Sequence, residues 1–248
     1  MSMSRPPTPT TSTAVQQQAG PGPVGDGATK VKVCGITEPA EIDVLAARAV
    51  DFVGLWYGVP GGPADLALES WRELGAAAAR AERLAPVMVT FLKDVAAMGE
   101  ALEGSGVRWV QLHGYQTPGL VRAVKEIGPE IRVIKVLHVR GGECVEAPLI
   151  GSYEKAGVDV FLFDAVAEDG RVGSTGETLD PEVVASLAER ISRPFLLAGG
   201  LSADNRSDYA QLTTHSHFLG IDVDTNARGA DGKVSAESVE AILGTWRV

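Results

Sequence analysis

Cys34 and Asp164 are the side chains in this sequence best placed to divide a proton transfer between them. Cys34 closes the apolar run KVKVC (30–34) and Asp164 closes VDVFLFD (158–164). A thiol and a carboxylate facing one pocket can share base and acid roles. Taken singly, each has a plainer reading: a small buried hydrophobe for the thiol, a cap or loop acceptor for the carboxylate. Other runs also end in polar or glycine residues, namely Gln111 and His113 in VQLHG, the pair Gly199-Gly200, and Asp222. Gly173, Ser174 and Gly176 form a glycine loop after the sixth run, and Thr225, Asn226 and Arg228 follow the eighth. Paired glycines let backbone amides approach an anion, so these loops make a candidate phosphate site.

Five other residues have chemistry but a weaker pattern. His215 and His217 share one face of a strand, yet no Asp or Cys stands at ligand spacing, so no metal is expected there. Cys144, in GGECVEA, is expected to begin a helix and to be structural. Lys32 and Lys135 lie within strand-like runs, where they can turn charge inward without an assigned role.

The elements that must position these residues alternate along the chain. The apolar runs are KVKVC (30–34), FVGLW (52–56), APVMVTF (85–91), VRWVQLH (107–113), IRVIKVL (131–137), VDVFLFD (158–164), RPFLLAG (193–199) and HFLGIDV (217–223). Helical stretches separate them at 40–50, 68–83, 95–103, 118–127, 181–191 and 235–243. Strands apolar on both faces with helical crossovers indicate a parallel sheet covered on its outside. Eight such units predict an α/β fold, a (β/α)₈ barrel spanning 29–248, with its site at the C-terminal strand ends. A doubly wound open sheet shows the same alternation, but CGITEPAE after the first run is not a dinucleotide-binding G-x-G-x-x-G, and no cofactor is expected.

Residues 1–28 differ from the rest, with five of the fourteen prolines and almost no large apolar side chain. Such a segment cannot bury enough surface to offset its ordering entropy and is expected to be a disordered tail. It has no signal-peptide pattern, which predicts a cytoplasmic protein. The net charge of −10 argues against nucleic acid as a partner. No apolar run is long enough to span a membrane, and the two cysteines are expected to remain free.

The motifs KVCGIT (32–37), VQLHG (110–114), LFDA (162–165), GSTG (173–176), LAGGL (197–201) and IDV (221–223) stand in this order along the chain. In them the sequence resembles the phosphoribosylanthranilate isomerase family, the barrels of tryptophan biosynthesis. The resemblance implies an Amadori rearrangement of a small phosphorylated sugar substrate by a monomer or homodimer. Asp164 would be the general acid on the furanose ring oxygen, and Cys34 the general base that removes the C2′ proton. It also implies that Cys34 is substantially thiolate, below the free value of ~8.5.

Three segments depart from the family pattern. WYGVPGGPADLA (56–67) has no Arg or Lys, where the family carries an arginine for the anthranilate carboxylate. Asp224-Thr225-Asn226-Ala227-Arg228 replaces Ser-Ser-Gly-Val-Glu, placing a carboxylate at the phosphate site. Arg228 is expected to compensate that charge or to take over an anion contact, and Asn226 to adopt a glycine's left-handed conformation. Gly173-Ser174 stands for a double glycine. Two alternatives follow: a diverged paralogue acting on another phosphorylated sugar adduct, and a phosphosugar-binding barrel without catalysis. Retention of Cys34 and Asp164 favours an enzyme.

Overall fold

Each apolar run forms a strand, and the strands close on one another. The structure is a computed structural model that describes residues 27–166 and 178–247. Its strands are β1 (Lys30–Val33), β2 (Phe52–Trp56), β3 (Ala85–Thr90), β4 (Trp109–Leu112), β5 (Arg132–Arg140), β6 (Glu143–Cys144), β7 (Val160–Ala165), β8 (Phe195–Leu197) and β9 (Phe218–Val223). All but β6 pair in parallel, and the β1–β9 and β4–β5 pairings complete a closed ring. The helices are α1 (Pro39–Ala47), α2 (Leu68–Ala79), α3 (Val95–Leu102), α4 (Pro118–Lys125), α5 (Ile150–Ala156), α6 (Pro181–Ala188), α7 (Ala210–Thr213) and α8 (Ala236–Trp246). This is the (β/α)₈ barrel the alternation predicts.

The two-residue period of a strand sorts the apolar side chains into two cores. Val87, Val89, Ile134, Val136, Val160, Leu162 and Leu196 fill the inside of the barrel. Their neighbours Val31, Val33, Val53, Leu55, Val110, Phe161 and Phe163 pack outward against the helices. Burial on both faces explains why the strands read as continuous apolar runs. The helices start at sequence-encoded stops. The side chains of Asp94, Thr117, Asp180 and Ser235 accept from backbone amides at the starts of α3, α4, α6 and α8. Proline occupies the first turn of α1, α4 and α6, where its missing N–H is no loss.

Three details differ from expectation. β5 runs on to Arg140 because it turns back antiparallel onto β6. Cys144 therefore lies in that hairpin and does not begin a helix. Helix α5, seven residues closed by left-handed Gly157, is too short to leave a periodic signal. Of the expected tail, residues 1–26 lie outside the described residues, as do Gly173, Ser174 and Gly176. No helix among the described residues is long and apolar enough to cross a membrane.

Candidate active site

The strand alternation that fills the barrel also delivers the site. Lys32 on β1 and Cys34 just after it share the inward face with Gly54 and Trp56 on β2, and with Gln111 and His113 at the end of β4. Asp222 enters from β9, the other neighbour of β1, and Asp164 from β7 two strands further round. Cys34, Trp56, His113, Asp164 and Asp222 line one pocket together with Gly199, Gly200, Asp224, Thr225 and Asn226. Two strands with β8 and β9 between them thus bring the predicted thiol and carboxylate to one cavity.

Cys34 lies deep in the wall, 7% exposed. Its Sγ is met by two donors, Lys32 Nζ at 3.3 Å and Trp56 Nε1 at 3.2 Å. Lys32 is fully buried and pairs with Asp222 Oδ2 at 2.7 Å, across the β1–β9 register that sets Lys32 beside Asp222. Gly54 keeps this space open, since a Cβ there would lie 2.6 Å from Cys34 Sγ and 3.0 Å from Lys32 Nζ. Burial tends to lower the Lys32 ammonium, but Asp222 and Cys34 outweigh it, and the lysine is held above its ordinary value.

The expectation of a low Cys34 pKa is corrected by this environment. Burial pushes the thiol up to about 12; Lys32 and the Trp56 hydrogen bond pull it down, while Asp222 and Asp224 push it up. A strand end is legible in sequence, whereas the desolvation that disfavours the charged form is not.

Facing Cys34, Asp164 Oδ2 lies 3.3 Å from His113 Nε2. The alignment is too poor for a hydrogen bond, so His113 Nε2 is a buried atom without a hydrogen-bond partner, as is Asp222 Oδ1. Gln111 is fully buried and does not line the pocket; its Nε2 lies 2.9 Å from His113 Nδ1. Beside Asp164 in the β5–β7 register stands His138, whose Nδ1 is 2.6 Å from the buried carboxylate of Glu146. Neither was singled out from sequence, because the strand end read only as an apolar run. Lys135 does not reach the pocket: its Nζ donates to the carbonyls of Gly114 and Val136, with Glu146 at 3.6 Å.

The wall on the β9 side of Cys34 is made by the loops after β8 and β9. Gly199 and Gly200 are left-handed, with φ of 84° and 60°, a conformation that glycine adopts without strain. Asn226 is not left-handed. It sits in a 3₁₀ turn, and its amide donates to the carbonyls of Gly200 and Leu201 at 3.2 and 2.9 Å, tying the two loops together. Arg228 supplies the expected compensating charge but does not line the pocket. Its Nε donates to Asp224 Oδ1 at 2.8 Å, and its other nitrogens to the carbonyls of Cys34, Gly35 and Gly232. His215 and His217 lie away from this cleft, with His215 Nε2 3.7 Å from Glu189.

The family model for N-(5′-phosphoribosyl)anthranilate (PRA) isomerase matches residues 31–243. An N-(5′-phosphoribosyl)anthranilate isomerase of Synechococcus sp. (strain JA-2-3B'a(2-13)) is 33% identical over 216 residues, covering 86% of this chain and 88% of that protein. Among solved structures, the phosphoribosyl anthranilate isomerase of Thermus thermophilus superposes with a TM-score of 0.70 at 24% identity, over 88% of this chain and 98% of that one. Another isomerase, solved with reduced 1-(o-carboxyphenylamino)-1-deoxyribulose 5-phosphate, gives 0.65 at 20% identity over 88% and 97%. The chain belongs to the N-(5′-phosphoribosyl)anthranilate isomerase family.

Proposed function

We propose that this chain is an aldose–ketose isomerase that carries out the Amadori rearrangement of phosphoribosylanthranilate, with Asp164 as acid and Cys34 as base. The observation that carries this reading is the convergence of Cys34 and Asp164, from β1 and β7, on one pocket whose far wall is the Gly199-Gly200 turn. The glycine amides and Thr225 would hold the phosphate, with the Asp224 charge balanced by Arg228. Gly173, Ser174 and Gly176 belong to the same proposed phosphate site.

In the reaction, Asp164 gives its proton to the ring oxygen as the C1′–O bond breaks, and the nitrogen lone pair forms a C1′–N iminium. The C2′ proton then passes to Cys34 Sγ, and its electron pair forms the C1′–C2′ double bond of the enolamine, which tautomerises to the aminoketone. A buried thiol held at about 12 is a poor base in the empty site. The iminium cation brought beside it favours the thiolate as any adjacent positive charge does, so Cys34 releases its own proton to solvent as the iminium forms and then takes the C2′ proton as the thiolate. Asp222 Oδ1 and His113 Nε2, buried and without hydrogen-bond partners, are the groups for the sugar hydroxyls.

A second reading keeps the chemistry and changes the substituent on nitrogen. It is favoured by residues 57–67, which contain no cation to meet an aglycone carboxylate. Calorimetric titration with the reduced product analogue separates the two. Saturable binding that weakens when the carboxylate is removed supports anthranilate. Binding indifferent to that carboxylate favours another adduct, and no binding overturns both.

A further inference from the structure

We propose that Trp56 is a positioning residue for the base, its indole N–H stabilising the Cys34 thiolate as it forms. This inference rests on the reading of Cys34 as the base. The indole nitrogen donates to Sγ at 3.2 Å, opposite a second donor, Lys32 Nζ, at 3.3 Å. A neutral thiol gains little from two N–H groups aimed at sulfur, whereas a thiolate gains much, because hydrogen bonds to an ionised acceptor are roughly twice as strong as neutral ones. Both donors are buried, which strengthens their hydrogen bonds to the sulfur relative to exposed ones.

The segment after β2 builds the seat of this indole. A Cβ on Gly62 would meet the Trp56 ring at 2.9 Å, so the loop lies flat against it only because that residue is glycine. Leu66 N donates to Trp56 O at 3.0 Å, and Asp65 Oδ1 accepts from Val59 N, closing the loop back onto the strand end. The glycine- and proline-rich stretch without a cation thus clamps a ring whose polar edge faces the base. Trp56 acts through Cys34, which receives the proton; the indole N–H is not itself transferred.

The test is the rate of Cys34 carboxamidomethylation by iodoacetamide between pH 7 and 10, read by peptide mass in a Cys144→Ser background. Alkylation needs no turnover, so its outcome stands apart from the identity of the substrate. Loss of one hydrogen bond to the thiolate displaces its pKa upward by about one unit, which lowers the thiolate population about tenfold. The more basic thiolate is about threefold more nucleophilic, leaving alkylation roughly threefold slower at each pH.

Trp56→Phe removes the N–H but also opens the cavity. The decisive variant therefore carries 3-benzothienylalanine at position 56, which keeps the bicyclic ring and replaces N–H by sulfur. Slower alkylation in that variant at every pH, with kcat lowered several-fold and KM little changed, supports the role. Unchanged or faster alkylation, or slower alkylation with kcat unmoved, overturns it. A shifted alkylation profile in a protein that turns over no sugar adduct leaves the donor role standing and removes the proposed reaction instead.

Discussion

Lys32 Nζ and Asp222 Oδ2 lie 2.7 Å apart inside the barrel mouth, the lysine wholly buried and the aspartate nearly so. Their strands are neighbours in register, so the pair closes the same β1–β9 seam that closes the barrel. Lys32 also reaches Cys34, which makes one buried cation the link between the base and the neighbouring strand's carboxylate.

Removing one partner of a buried pair leaves the other charge uncompensated. Lys32→Met is expected to cost about 3–5 kcal/mol of stability in urea unfolding. Adding Asp222→Asn should restore part of that loss, because the orphaned carboxylate goes with it. A double variant less stable than Lys32→Met alone would show that the pair does not work this way.

The thiol held at about 12 has a direct signature. In the free protein, alkylation of Cys34 should climb about tenfold per pH unit from pH 7 to 10 without a plateau, since the thiolate fraction rises in that proportion below the pKa. A plateau below pH 9 would mean that the donors around Sγ outweigh burial.

Burial lowers Lys135 to about 8, against the opposing pull of Glu146. A lysine whose folded pKa lies below its unfolded value of 10.5 disfavours folding while charged. The unfolded state then binds more protons between pH 8 and 10.5, so this group makes stability rise across that window. Urea midpoints at pH 8 and 10 should show the gain in the native chain relative to Lys135→Met.

Gly220 fixes the β1–β9 seam from the other side. A Cβ there would lie 1.9 Å from the backbone oxygen of Lys30, which no side-chain adjustment relieves. Gly220→Ala is expected to lose at least about 3 kcal/mol, in the range of severe core overpacking. It should lower activity as well, because β1 carries Cys34. Thermal unfolding and turnover of the same preparation check both effects.

Fold and site were legible to different depths. All eight barrel strands stand out in the sequence because burial on both faces leaves unbroken apolar runs, and Cys34, Asp164 and Gly199-Gly200 stand out as polar or glycine ends to those runs. What escaped depends on three-dimensional neighbours. Trp56 reads as one more apolar strand residue until Gly54 shows that 54 and 56 share the inward face with Cys34. Arg228 reads as an anion-binding group until Asp224 and the carbonyls of Cys34 and Gly35 account for its donors. The thiol pKa was read downward from the proposed chemistry, whereas desolvation, which has no sequence signature, sets it upward.

The most direct test is turnover of freshly generated phosphoribosylanthranilate, followed as loss of the adduct's fluorescence, with native protein, Cys34→Ala and Asp164→Asn side by side. Turnover by the native chain is expected, with a loss of at least about 10²-fold in each variant, the ordinary scale of an acid or base contribution, and folding intact by circular dichroism. Native-level turnover in either variant, or none from the folded native chain, would contradict that expectation.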